Sequence, residues 1–62
     1  MKTYKITTSA VWFLVKARTK ADAAWEGKKE HRGYVTVTEA DPGDIAYFKA
    51  LKGDDSIEEV VR

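Results

Sequence analysis

Residues Lys2–Ala17 read KTYKITTSAVWFLVKA, and whether they form one strand or two decides the fold. The stretch is rich in Thr, Val, Ile, Tyr, Trp and Phe, residues that suit a pleated surface, and it contains neither Gly nor Pro. Five large apolar side chains follow one another from Val11 to Val15. Successive strand residues point to opposite faces, so such a run carries apolar groups on both. Read as a single strand, its even positions place Tyr4, Ile6, Trp12 and Leu14 on one face, with Thr8 and Ala10 between them. The odd positions begin polar, with Thr3, Lys5, Thr7 and Ser9, and turn apolar at Val11, Phe13, Val15 and Ala17. A break into two strands would fall near Ser9-Ala10. That pair lacks the Asn-Gly or Gly-X chemistry of a tight hairpin, so the expectation is one long strand, bulged if anything.

The elements that follow are signalled by their caps. Thr19 can accept the backbone N–H of Asp22, and an acid in the first turn suits the positive end of a helix. Ala21, Ala24 and Trp25 then make a short apolar stripe, along which the stem of Lys28 can lie. Gly27 is costly inside a helix, so the helix ends there or runs on through Lys28–Arg32 to stop at Gly33. Tyr34–Glu39 (YVTVTE) alternates cleanly and predicts a strand. Asp41 offers an N-cap with Pro42 in the first helical position, Ile45, Phe48 and Leu51 recur every third residue, and Gly53 can close the end. A helix is therefore expected over 45–51, against a competing strand reading. Six or so residues after Ser56 are too few for a stable helix, which leaves a short edge strand guarded by its charges. The predicted fold class is α+β: one small domain in the order β-α-β-α-β, with a long first strand and two short helices packed on one face of a small sheet.

Composition narrows the chemistry. The chain has 62 residues, no cysteine and a single histidine, His31. A domain this size buries only about 60% of its unfolded surface, and neither a disulfide nor a structural zinc site can reinforce it. Oligomerisation is a common way to enlarge such a core. Apolar residues make up 44% and charged ones 34%, a balance that fits a soluble globular protein rather than a disordered chain. No apolar run approaches the ~20 residues of a membrane span, and no secretory h-region is evident, so a cytoplasmic location is expected. The net charge of +1 conceals an asymmetry. Residues 1–32 hold eight Lys/Arg against three acids, a balance of +5, whereas 33–62 hold three against seven, a balance of −4.

Catalytic readings find little to build on. His31 sits in Lys28-Lys29-Glu30-His31-Arg32, which reads as a basic helix end rather than as a general base with an oriented partner. Asp41 and Asp44 flank Pro42-Gly43, and the acids from Asp54 to Glu59 lack the spacing of a calcium loop. The four glycines are isolated, so no phosphate-cradling loop is formed. The expectation is a non-enzymatic binding module with no cofactor and no metal. Val15-Lys16-Ala17-Arg18-Thr19-Lys20-Ala21-Asp22-Ala23-Ala24 resembles the strand-to-helix junction of small phage- and plasmid-encoded α/β proteins. There a long first strand ending in a small residue and a charge meets a capped, alanine-rich helix. The resemblance spans ten residues, none of them catalytic, and implies an accessory protein in a class where binding and inhibition are common.

Two surfaces could carry binding. If helices cover the odd face, with Val35 and Val37, the even face exposes Tyr4, Ile6, Trp12, Leu14 and Tyr34. That apolar patch would call for a second copy of the chain, as a homodimer, or for another protein. The alternative is a nucleic-acid contact by Lys16, Arg18, Lys20, Lys28, Lys29 and Arg32, with Trp12, Trp25 and Tyr34 stacking on bases. Against it stands the reading of both tryptophans as core.

Overall fold

At Ser9-Ala10 the chain reverses, and the long strand becomes a hairpin. In the computed structural model, which describes residues 1–30 and 33–61, β1 (Lys2–Thr7) pairs antiparallel with β2 (Trp12–Ala17) from Lys2↔Ala17 to Thr7↔Trp12. The turn is not one of the primed types, which need positive φ, because no described residue other than glycine has one. Thr8 supplies the closure. Its N–H and its hydroxyl both donate to the Val11 carbonyl, at 2.8 and 2.9 Å. The same hydroxyl oxygen accepts the N–H groups of Ala10 and Val11, at 3.2 and 3.0 Å. One threonine side chain thus does locally what Asn-Gly does by conformation.

This turn inverts the pairing of apolar residues. With Ile6 opposite Phe13 and Tyr4 opposite Val15, the even residues of β1 share a face with the odd residues of β2. The opposite face takes Thr3, Lys5 and Thr7 with Trp12, Leu14 and Lys16. Two further strands complete a sheet in the order β3-β1-β2-β4. β3 (Thr36–Glu39) lies antiparallel to β1, with Val37 opposite Ile6. β4 (Glu58–Glu59) runs parallel to β2, and just beyond it the Val60 N–H donates to the Lys16 carbonyl at 2.8 Å. The fold is a small α+β domain in the order β-β-α-β-α-β.

The helices α1 (Lys20–Glu30) and α2 (Pro42–Lys52) begin where the caps predict. Thr19 Oγ1 accepts the Asp22 N–H at 3.1 Å, and Asp41 Oδ1 accepts that of Asp44 at 2.7 Å. Gly53, at φ 103°, ends α2 by donating its N–H to the Lys49 carbonyl. They do not share a face as expected. α1 covers the Tyr4/Ile6/Val15/Val37 side, where a Cβ on Gly27 would meet Ile6 and Val35. α2 covers the other side, where Tyr47 and Phe48 meet the Trp12 ring. The reason is topological. Strands β2, β3 and β4 are mutually parallel, and α1 leads from β2 to the β3 edge whereas α2 leads back to the β4 edge. Parallel crossovers of one hand that travel in opposite directions must pass over opposite faces.

The sheet-facing stripe of α1 also differs from the one expected. Ala23 and Gly27 are buried and Ala24 is half-buried, while Ala21 is exposed and Trp25 is 39% exposed, with Lys29 Nζ 5.0 Å from its ring centroid. Small residues let the helix lie close to the sheet, so it is their spacing, and not that of the bulkiest side chain, that marks the buried side. No helix among the described residues is long and apolar enough to cross a membrane.

Candidate interaction edge

β3 borders the sheet, and the register shows which of its backbone groups face outward. Thr8 bonds Val11, so Tyr4 and Ile6 direct their N–H and C=O groups towards β2 and the odd residues of β1 direct theirs towards β3. Accordingly the Ala40 N–H donates to the Thr3 carbonyl at 3.0 Å. Thr36 and Thr38 therefore serve the β1–β3 ladder. Val37 and Glu39, opposite Ile6 and Tyr4, turn their N–H and C=O groups away from the sheet. Among the described residues no further strand receives them.

Beside this edge lies an open groove of about 490 Å³ between α1 and β3. Its helix wall is built by Lys20, Ala24 and Lys28, and its strand wall by Tyr34, Val35 and Val37. Lys20, Ala24 and Lys28 recur every fourth residue, so they share one side of α1. Both lysines are exposed, and neither makes an ion pair among the described residues. Tyr34 is 80% exposed at the start of the approach to β3. On the opposite side of the edge, Thr36 and Thr38 continue the polar row of Thr3, Lys5 and Thr7.

The five residues anticipated as one apolar face are divided by the hairpin. Tyr4 and Ile6 are buried under α1, Ile6 completely. Leu14, 2% exposed, and the half-buried Trp12 lie on the α2 side, and only Tyr34 is open to solvent. The basic residues are dispersed as well. Lys16 points to the α2 side of β2, Arg18 lies in the link after it, Lys20 and Lys28 line the groove, and Lys29 stands over Trp25. Arg32 and His31 lie outside the described residues. The edge character of β3 escaped the sequence reading. YVTVTE announces the strand, but nothing local in it says that only one side is paired.

A second cleft, of about 250 Å³, sits where β2 extends beyond the start of β4. It brings Phe13, Leu14 and Phe48 near the carboxylates of Glu26 and Glu58 and near Ser56. Glu26 is paired with Lys29 at 3.2 Å, and the Ser56 hydroxyl donates to the Gly53 carbonyl at 2.6 Å. Among the described residues no three His, Cys, Asp or Glu side chains are grouped to hold a metal ion. No protein-family model, no curated protein and no solved structure matches this chain.

Proposed function

We propose that this chain is a small non-enzymatic binding module that acts by protein–protein contact, receiving an extended segment of its partner along β3. The observation that carries the reading is the outward row of N–H and C=O groups on Val37 and Glu39 beside an open groove. Strand addition draws affinity from such main-chain groups and specificity from the pockets next to them. A short edge limits indiscriminate pairing, which fits a recognition device rather than an aggregation site. An accessory or inhibitor role of the phage type, implied by the resemblance of the Val15–Ala24 junction, requires no catalysis and is compatible with this mode. A cytoplasmic setting belongs to the same reading.

Glu39→Pro tests it. The Glu39 N–H points outward, so proline removes one edge donor while the β1–β3 ladder keeps its bonds. The lost Lys2–Glu39 ion pair, at 3.4 Å between side chains more than half exposed, contributes little. A partner identified by mass spectrometry with the wild-type protein should be lost with Glu39→Pro and retained with Lys52→Glu, on the far end of α2. Retention by Glu39→Pro would move the contact elsewhere.

A further inference from the structure

The groove beside β3 carries information about what it receives. Lys20 and Lys28 are eight residues apart on one helix, about 12 Å along its axis at 1.5 Å per residue. A strand advances about 13 Å in four residues, and residues i, i+2 and i+4 share a face. A strand added to β3 would therefore present three side chains to α1: one near each lysine and one between them, over Ala24. We infer that the occupant is an extended acidic segment, with carboxylates four residues apart and a small apolar residue midway. This rests on the protein-binding reading above and adds the chemistry of the partner.

A second copy of the chain fits less well. α1 starts at the end of β2 and returns alongside it, so it runs antiparallel to β3. Two β3 strands paired about a two-fold axis would set Lys20 of one copy opposite Lys28 of the other, on the same side of the joined sheet. The Glu39 carboxylate of each β3 is already engaged by Lys2, so it does not answer these like charges. An acidic strand instead supplies one carboxylate per lysine, so each exposed cation gains a partner of opposite sign.

The test uses the ¹⁵N-labelled full chain and four probes. The first is a capped peptide Thr-Glu-Thr-Val-Thr-Glu-Thr. The second replaces both Glu by Gln, and the third keeps the charges but replaces every Thr by Pro, which cannot complete a ladder. The fourth is a single-stranded DNA oligonucleotide. The acidic peptide should shift the amide resonances of Val37 and Glu39 and slow their hydrogen exchange. Its affinity should fall roughly tenfold with the Gln peptide, and by a similar factor with the Lys20→Glu, Lys28→Glu double variant. The Pro peptide should leave the β3 amides unmoved. Equal binding of the Gln and Glu peptides would sink the acidic partner and leave the edge reading standing. If no peptide moves those amides, the edge reading fails and this inference with it. Tighter binding of the oligonucleotide through Lys20, Lys28 and Tyr34 would assign the groove to nucleic acid. A dimer in sedimentation that Glu39→Pro dissociates would assign the edge to a second copy.

Discussion

The two faces of the sheet are covered by helices of equal length in opposite ways. Under α1 the contact is made of small residues, Ala23, Ala24 and Gly27, set against Tyr4, Ile6, Val15 and Val37. Under α2 it is made of large rings, with Trp12 5.5 Å from Phe48 and 6.1 Å from Tyr47 between centroids. On the first face the helix backbone itself comes close, and its neighbours lie on β1, β2 and the approach to β3. On the second the helix stands off on its side chains, leaving Tyr47 and Leu51 exposed, and Lys5 bridges the gap by reaching Asp44 at 3.6 Å and the Trp12 ring at 4.9 Å. Close approach gives a continuous core; stand-off packing gives a cover attached at a few points.

Truncations on the two faces should expose that contrast. Ile6→Ala removes a fully buried side chain at the centre of the α1 face, at a cost of about 2–5 kcal/mol. A core this small supplies only roughly 3–5 kcal/mol, so urea unfolding should find that variant largely unfolded without denaturant. Phe48→Ala should fall at the low end of the range for a buried phenylalanine, about 3 kcal/mol, because its contacts lie on the face that α2 covers from a distance. Its loss should shift the emission of Trp12 to the red while the amides of β1 and α1 stay protected from exchange. Equal losses in both variants would mean that the two faces fold as one unit.

Gly27→Ala tests how thin the α1 layer is. Alanine normally stabilises a helix interior by about 1 kcal/mol over glycine. Here its Cβ would lie 2.9 Å from Ile6 Cγ2 and 2.9 Å from Val35 Cγ1. Both neighbours are β-branched and stiff at χ1, so they yield little. Overpacking of about 1–3 kcal/mol should win, and the urea midpoint should fall instead of rising. The smallest effect belongs to the turn that sets the two faces apart. Thr8→Val keeps the shape of the side chain and removes its three hydrogen bonds, for a loss of about 1 kcal/mol in the same assay.

Much of the fold can be read locally. The caps at Thr19 and Asp41, the proline after Asp41, the glycine stop at Gly53 and the short edge strand near the end each follow from a few adjacent residues. The first strand misleads because Ser9-Ala10 has none of the usual hairpin residues; the hydroxyl of Thr8 takes their place, and threonine is common enough in strands to hide that role. Trp25 misleads for a different reason. Size suggests burial, but the closeness of α1 to the sheet excludes a large ring and selects Ala23 and Gly27. The candidate edge is half legible in the sequence. Lys20, Lys28 and Tyr34 are visible as basic and aromatic residues, but their convergence depends on β3 lying outside β1.

The sequence by itself determined where each helix starts and where α2 stops, because those choices rest on hydrogen bonds and torsions within a few residues. Tertiary structure decided which side of each strand is core. A strand has a period of two, so one two-residue turn at Ser9-Ala10 reassigns Phe13, Val15 and Ala17 to the face of Tyr4 and Ile6, and Trp12 and Leu14 to the other. It also decided that α1 and α2 lie on opposite faces and that β3 borders the sheet, since both depend on the order of strands in the sheet and not on any residue's own preference.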